Sequence, residues 1–193
     1  MTSAPGVELR PVGAGDKDRL LVWRNSPEVS AYMYTDHQIT PEEHERWFAG
    51  IEGDARRAYW IIEMDGAPVG LANLYDIDRR QRRCAWAYYL AEPAVRGRGI
   101  GGCVEYLMIE KVFGEYGLTK LWCEVLASNV SVRKLHEAFG FQVEARLCGH
   151  AVRAHKRVDV LGLGLLAADW RAKRAAMADR LRARGFTPPV VVA

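Results

Sequence analysis

Several features that mark other classes of protein are missing from this sequence of 193 residues. It has no apolar run as long as a membrane span, and its first six residues do not form a secretion signal. Its four cysteines are widely spaced, with no C-x-x-C pair and no histidine pair at metal-ligand spacing. We therefore expect a cytoplasmic protein with reduced cysteines, no membrane partner and no bound metal.

A strong charge of one sign is also absent from most of the chain. The net charge is +3, and residues 169–193 carry six Lys or Arg and two Asp, which is +4 and leaves −1 for the rest. A basic excess confined to the tail does not predict a nucleic-acid partner. The length and the 49% of apolar residues are typical of one globular domain. We expect a domain at 1–170 and a basic helix with its tail at 171–193, most simply a solvated surface.

Hydrophobic periodicity predicts strands and helices along the whole chain. Alternating or apolar runs predict seven strands, at residues 7–10, 58–64, 68–75, 84–90, 120–126, 141–148 and 157–165. Helical spacing and capping residues predict helices near 16–25, 27–32, 40–51, 99–116, 129–139 and 167–184. Without the short helix near 27–32 and the last helix, the order is β-α-α-β-β-β-α-β-α-β-β, which is inconsistent with a run of parallel βα units.

A glycine-rich loop joins the fourth predicted strand to a long helix, and its sequence is Arg96-Gly97-Arg98-Gly99-Ile100-Gly101-Gly102. Glycines allow close backbone approach and the helix start presents unpaired N–H groups, so we expect the loop to bind an anion such as a pyrophosphate. Arg96 and Arg98 add positive charge beside it. Three interpretations are open. The loop fits the dinucleotide pattern G-x-G-x-x-G, with Glu124 about 20 residues beyond; it fits the coenzyme A signature R-x-x-G-x-G/A; or it is a turn without a ligand.

The loop and a second motif together resemble the GNAT superfamily of acetyl-CoA-dependent N-acetyltransferases. The second motif, Asn129-Val-Ser-Val-Arg-Lys-Leu-His-Glu-Ala-Phe-Gly-Phe141, is similar to N-x-x-A/S-x-x-L-Y-E-x-x-G-F. The resemblance spans roughly residues 7–170 and implies an α/β fold with a central mixed, mostly antiparallel sheet of about seven strands flanked by helices. It implies acetyl-CoA as the cofactor, with its pyrophosphate on the 96–102 loop and its pantetheine arm between strands four and five. Main-chain groups of Leu90 and Ala91 would pair with that arm, and Asn129 and Arg133 would reach the cofactor.

The same resemblance implies catalytic residues, with two departures from the family pattern. The family's tyrosine acid, beside the leaving sulfur, is replaced here by His136, and histidine donates protons near neutral pH. The other interpretation of His136 is an exposed helix residue. Trp86 lies where many members carry a base and cannot serve, so Glu124 is the candidate base, acting through a water held by Asn73. Glu124 is equally interpretable as a structural partner of an arginine.

The N-terminal half resembles the N-acetyltransferases of pseudaminic acid biosynthesis, from Leu21-x-Trp23-Arg24-Asn25 to Trp47-Phe48. The implied reaction is direct acetyl transfer to the 4-amino group of a UDP-linked 4-amino-4,6-dideoxy sugar. Apolar side chains would face the sugar's methyl group, and an arginine would meet a phosphate. The predicted substrate-binding residues are Arg24, Met33, Tyr34, His44, Trp47 and Tyr88. Protein N-terminal acetylation and a non-catalytic coenzyme A-binding regulator stay open as functions, and a homodimer stays open as an assembly.

Overall fold

The computed structural model describes residues 6–35, 37–51 and 53–187, and these residues contain seven strands. The strands are β1 (Val7–Pro11), β2 (Ala58–Met64), β3 (Ala67–Asp78), β4 (Arg83–Leu90), β5 (Lys120–Leu126), β6 (Gln142–Arg153) and β7 (Lys156–Leu166). They form one sheet in the order β1-β2-β3-β4-β5-β7-β6. Neighbouring strands are antiparallel except β4 and β5, which are parallel. The predicted mixed, mostly antiparallel sheet is confirmed.

Six α-helices accompany the sheet in the described part of the chain. They are α1 (Lys17–Asn25), α2 (Pro27–Ser30), α3 (Pro41–Ala49), α4 (Ile100–Glu110), α5 (Val130–Phe139) and α6 (Ala167–Arg182). At the start of α3, Thr40 accepts from the Glu43 amide while the Glu43 carboxylate accepts from the Thr40 amide, which confirms the predicted capping box. Among the described residues, no helix has both the length and the apolar character needed to cross a membrane.

Successive residues of the central strands point to opposite sides of the sheet, and each side has its own core. Ile62 and Ala72 belong to the larger core, which residues of α4, α5 and α6 cover. Ile61 and Leu71, one position earlier on each strand, belong to the smaller core, which residues of α1, α2 and α3 cover. The two helical layers therefore reach the middle of the sheet from opposite sides.

Helix α6 corrects the expectation of a solvated basic surface. Trp170, Met177, Ala178 and Leu181 are buried, and Trp170 stacks on Phe139 with ring centroids 6.1 Å apart. These apolar residues recur at helical spacing, so one face of the helix packs on the larger core while the basic residues occupy the remaining surface. The predicted division at residue 170 falls inside this helix.

The last two strands form a hairpin that is longer than predicted. β6 continues to Arg153 and β7 starts at Lys156, with Ala154 and His155 at positive φ in the turn. The register of the pairing between β6 and β7 shifts between Leu147 and Ala151, so the alternation of side chains is interrupted there. This irregular register explains why the apolar pattern did not reveal the full hairpin, which extends toward α2.

Candidate active site

The candidate site is a cleft at the point where the two parallel strands separate. Among the described residues, β4 and β5 pair over three positions, from Arg83 with Lys120 to Ala85 with Trp122. Beyond them lies a cleft of about 720 Å³, which residues 86–90 and 123–126 line. Even and odd positions of these strands point to opposite faces, so the cleft passes through the sheet and is accessible to both helical layers.

The glycine-rich loop before α4 forms one end of this cleft. Gly97 (φ +74°) and Gly99 (φ +84°) adopt left-handed conformations that other residues resist. Gly101 is needed for a different reason, because a Cβ there would lie 3.0 Å from the Tyr88 hydroxyl. Gly102 also lines the cleft. The loop and the positive dipole end of α4 therefore fit a pyrophosphate group.

The groups predicted to pair with the pantetheine arm already have partners within the protein. Arg96 lines the cleft, but its guanidinium donates to the Leu90 carbonyl at 2.9 Å and to the Glu28 carbonyl at 3.5 Å. The Ala91 amide donates to the Val69 carbonyl at 2.8 Å. Arg96 thus ties the loop to the end of β4 and to α2, and its charge stays beside the cleft.

The remaining predicted cofactor residues lie at different distances from the cleft. Asn129 lines it and also caps α5, since its side chain accepts from the Val132 amide at 3.4 Å. Ile100 is buried in the larger core and anchors the loop. Arg98 is exposed and Arg133 is half-buried, and neither is among the described residues that line the cleft.

His136 lines the cleft from α5 and is buried, with 3% of its surface exposed, so its interpretation as an exposed helix residue is wrong. Its Nδ1–H donates to Oε1 of the fully buried Glu105 on α4 at 2.8 Å. Burial by itself lowers the pKa of His136, but the Glu105 carboxylate and hydrogen bonds to Cys123 and Glu105 raise that pKa to about 10. Burial raises the pKa of Glu105, and the positive His136 opposes that rise. The pairing with Glu105 therefore favours the protonated imidazole.

Glu105 was not predicted to be functional, although the sequence contained a signal. It is the charged residue in the otherwise uncharged run Ile-Gly-Gly-Cys-Val-Glu-Tyr-Leu-Met-Ile at 100–109. A carboxylate on the buried face of a helix requires a partner, and His136 is that partner.

Beside this pair, the buried Nε1 of Trp86 has no hydrogen-bond partner among the described residues, and Trp86 lines the cleft. This donor is available to a polar atom of the cofactor.

Glu124 lines the cleft from the other side of the sheet. The Tyr34 hydroxyl donates a hydrogen bond to its Oε2, and burial together with this bond raises the pKa of Tyr34 above its usual range. The partner of Glu124 is thus a tyrosine, and within the described residues no arginine pairs with it. Asn73 is half-buried on the same face of β3 as Tyr75, which lines the cleft, but Asn73 is not among the lining residues.

The predicted substrate-binding residues fall into two groups. Met33, Tyr34 and Tyr88 line the cleft. His44 is buried and its Nε2 bonds to a backbone carbonyl of α1 at 2.8 Å, while Trp47 packs against the smaller core. These last two residues hold α3 in place and are not among the described residues that line the cleft, so their contact with the substrate stays a prediction.

The two neighbouring tyrosines of β4 both line the cleft, from opposite faces of the sheet. Tyr88 stacks on Trp86 at 5.4 Å on the side of the larger core. Tyr89 packs against the smaller core and lies close to Arg24. Tyr89 thus faces the side that α1, α2 and α3 cover, and Tyr88 faces the side that α4, α5 and α6 cover. We call these the acceptor side and the cofactor side of the cleft, after the roles proposed below.

Two arginines lie behind the acceptor side of the cleft. Burial, and then repulsion from Arg153, lower the pKa of the half-buried Arg24. Arg153 comes from the end of β6 and donates to three backbone carbonyls at the end of α2 and just after it, those of Ser30 at 2.9 Å, Met33 at 2.7 Å and Thr35 at 3.1 Å. In the described part of the chain, neither arginine has an acidic partner. Arg24 is not itself a lining residue, but it lies beside Tyr89, which is one.

Helix α6 contributes to the end of the cleft where the glycine-rich loop lies, and the sequence did not predict this contribution. Met177, Arg180, Leu181 and Arg184 line the cleft beside the glycine-rich loop. No cluster of histidine, cysteine or acidic side chains that could hold a metal ion is found among the described residues.

Residues 7–142 match the family described as Acetyltransferase (GNAT) domain, and this is more than half of the chain. The chain therefore belongs to the GNAT acetyltransferase family. It is an N-acetyltransferase, and its acetyl donor is acetyl-CoA. The dinucleotide interpretation of the glycine-rich loop is consequently wrong.

Individual relatives differ in how much of the chain they match. Spermidine N(1)-acetyltransferase of Escherichia coli (strain K12) is 26% identical over 148 residues, which cover 76% of this chain and 78% of the relative. Acetyltransferase PseH of Campylobacter jejuni is 31% identical over 77 residues, 40% of this chain and 46% of the relative. The solved structure of spermidine N-acetyltransferase from Vibrio cholerae with CoA and spermine has a TM-score of 0.80 at 19% identity, covering 86% of this chain and 98% of that one. This last likeness shows the shared fold.

Proposed function

We propose that this enzyme acetylates the primary amine of an anionic small molecule, a UDP-linked 4-amino-4,6-dideoxy sugar. The observation that carries the proposal is the pair of guanidinium groups, Arg24 and Arg153, behind the acceptor side of the cleft. The two groups repel each other, Arg24 is partly desolvated, and neither has an acidic partner among the described residues. Arg153 is engaged by three backbone carbonyls, so the free donors are those of Arg24. A diphosphate on the acceptor would pair with Arg24 and offset the repulsion from Arg153, because guanidinium and phosphate form strong charge-assisted hydrogen bonds.

A polyamine fits this cleft less well than an anionic acceptor does. Among the described lining residues, the acidic ones are Glu28 and Glu124, and Glu124 already accepts from Tyr34. A polyamine carries several ammonium groups, and each one that leaves water requires a carboxylate or another acceptor. The nearby Arg24 and Arg153 add repulsion. The charge of the acceptor side therefore favours a different amine from the one named for the spermidine acetyltransferase relatives.

The shape of the acceptor side also supports a deoxy sugar. Met33, Tyr34, Tyr75 and Tyr89 give this side of the cleft apolar and aromatic surface. Rings of this kind pack against the apolar face and methyl group of a sugar, while their hydroxyls remain available for hydrogen bonds. The resemblance of the N-terminal half to the N-acetyltransferases of pseudaminic acid biosynthesis supports the same class of acceptor.

In this proposal the two titratable groups of the cleft work from opposite faces of the sheet. Acetyl-CoA supplies the acetyl group as a thioester. On the cofactor side, Glu105 engages Nδ1 of His136, so the proton on Nε2 is the one available for donation. On the acceptor side, Tyr34 orients Glu124, whose carboxylate accepts a proton from the amine directly or through a water near Asn73. The gap between β4 and β5 lets the two reactants meet.

Initial rates of free-thiol release from acetyl-CoA test the acceptor class. The panel contains the UDP-linked and the dTDP-linked 4-amino-4,6-dideoxy sugar, the same amino sugar without a nucleotide, spermidine, and a peptide with a free N-terminus. We expect the highest kcat/KM for the UDP-linked sugar, and a value roughly tenfold or more lower without the nucleotide, since charge-assisted bonds are lost.

Three outcomes of the panel would overturn the proposal. Acetylation of spermidine but not of the sugars would indicate a polyamine enzyme. Acetylation of the peptide alone would indicate protein N-terminal acetylation. Binding of coenzyme A without thiol release for any acceptor would indicate a non-catalytic regulator.

A further inference from the structure

The end of α6 packs directly on the start of α4, where the glycine-rich loop enters the helix. The Cδ2 atom of Leu181 lies 3.5 Å from the position of a Cβ on Gly102, and Leu181 is buried. Burial raises the pKa of Cys103 at the start of α4 to about 11, and the nearby charge of Arg184 opposes that rise. The basic end of α6 is therefore held against the part of the cleft that fits the pyrophosphate.

In α6 and the turn after it, two arginines that line the cleft have no acidic partner among the described residues, whereas two other arginines do. Arg174 pairs with Glu110 at 2.7 Å, and Arg182 pairs with Asp179 at 2.6 Å. Arg180 and Arg184 line the cleft and are exposed, and their guanidinium groups have no hydrogen bond or ion pair with any described residue. They are four residues apart and lie on either side of the buried Leu181, so both reach the same region.

Arg96, the third arginine among the described lining residues, is less free to bind a ligand, because its guanidinium already has partners. The guanidinium of Arg96 is engaged by the Leu90 and Glu28 carbonyls, and His136 is paired with Glu105. The free cationic donors at the cofactor end of the cleft are thus supplied by α6 and its following turn. Two guanidinium groups with no acidic partner suit a phosphate monoester, which carries close to two negative charges and three acceptor oxygens.

We propose that Arg180 and Arg184 bind the 3′-phosphate on the ribose of coenzyme A. Coenzyme A has three phosphates, a linked pair in the diphosphate and a separate monoester on the adenosine ribose. Backbone amides and the dipole of α4 fit the diphosphate, and a second, cationic site one helix away fits the monoester. This inference rests on the placement of the cofactor in the cleft and is independent of the acceptor.

Calorimetric titration with coenzyme A and with dephospho-coenzyme A, which lacks only the 3′-phosphate, tests this site without any acceptor. We expect the wild-type protein to bind coenzyme A about tenfold or more tightly than dephospho-coenzyme A, as two exposed charge-assisted contacts would give. The double variant Arg180→Gln/Arg184→Gln should bind both ligands with the affinity that the wild type has for dephospho-coenzyme A. The matched variant Arg182→Gln, whose arginine pairs with Asp179, should retain the wild-type preference.

Two results would overturn the proposal. One is equal affinity of the wild-type protein for the two ligands. The other is a double variant that loses the same factor for both ligands, which would place the arginines on the diphosphate. The single variants Arg180→Gln and Arg184→Gln provide the same comparison if the double variant does not fold, and each should remove part of the preference. Loss of the proposed amino-sugar activity would leave these binding results unchanged.

Discussion

The cofactor side and the acceptor side of the cleft are built in different ways. The cofactor side comes largely from two continuous stretches, residues 86–102 and 129–139, which are local motifs. On the acceptor side, Tyr34 bonds to Glu124 across 90 positions of the chain, and Arg153 bonds to Met33 across 120. In our proposal, recognition of the cofactor is therefore encoded locally, whereas selection of the amine depends on distant segments that meet only in the fold. The same fold can in this way serve different acceptors.

The largest expected effect is on the cofactor side, at His136. The substitution His136→Gln keeps a polar side chain of similar size but removes the titratable proton. We expect kcat to fall by about 10²–10⁴-fold, the usual contribution of a positioned acid, while the dissociation constant of acetyl-CoA stays within a few-fold of wild type. Steady-state kinetics and calorimetry measure the two quantities. His37→Gln, at an exposed histidine outside the cleft, is the control, and an unchanged kcat in His136→Gln would remove the proposed acid.

A smaller effect is expected from Glu105→Gln, which tests how His136 is kept protonated. The Glu105 carboxylate and the hydrogen bond to Cys123 together raise the pKa of His136 to about 10, so the acid form persists into alkaline solution. In the amide variant burial still lowers that pKa, and the Glu105 carboxylate no longer opposes it. The acid form, and with it kcat, is then lost as pH rises through a lower value. We expect the alkaline limb of the kcat profile to move to lower pH, with a loss of roughly tenfold or more at pH 8 that is partly recovered in acid. An unshifted profile would contradict this role for Glu105.

On the acceptor side, Tyr34→Phe removes the hydroxyl that orients Glu124. The ring stays in place and the hydroxyl only orients the carboxylate, so we expect kcat/KM for the acceptor to fall about three- to tenfold, the net value of one typical hydrogen bond. The affinity for acetyl-CoA, measured in the same preparation, should not change. A loss of acetyl-CoA affinity would mean that the two sides of the cleft are not separable.

The smallest expected effect is on the glycine-rich loop. Gly99 has φ +84°, and the position that a Cβ would take there is open, so Gly99→Ala introduces backbone strain without a clash. We expect a loss of about 1 kcal/mol in unfolding free energy and a few-fold weaker binding of acetyl-CoA. Gly15→Ala is the matched control, because Gly15 also has open space but no left-handed conformation. Equal stability of the two variants in denaturant unfolding would contradict the conformational argument.

The fold and the cofactor side were largely predictable because their signals are local. The bounds of β5, the capping box of α3 and the glycine-rich loop follow from short patterns of apolar, capping and glycine residues. Even His136 was identified from its place in a motif. Its partner Glu105 was missed, since a single charge in an apolar helix shows that a partner exists but not which residue it is.

The acceptor side was predicted less well, for reasons of strand parity and tertiary packing. Tyr88 and Tyr89 are adjacent, so their side chains point to opposite faces of the sheet. The sequence does not say which face α1, α2 and α3 cover, and therefore not which tyrosine faces them. His44 and Trp47 lie on an amphipathic helix, but its buried face packs against α1 and the smaller core and does not line the cleft. Arg153 could not be identified, because its contacts depend on a hairpin whose register is irregular.

The central claim is that the acceptor side recognises an anionic amine, and Arg24 allows the most direct test. The measurement is the ratio of kcat/KM for the UDP-linked amino sugar to that for the same amino sugar without the nucleotide, in the wild type and in Arg24→Met. Methionine fills a similar volume without charge. The account predicts a wild-type ratio of about ten or more that falls toward one in the variant, with acetyl-CoA affinity unchanged. A ratio that is the same in both proteins would contradict it.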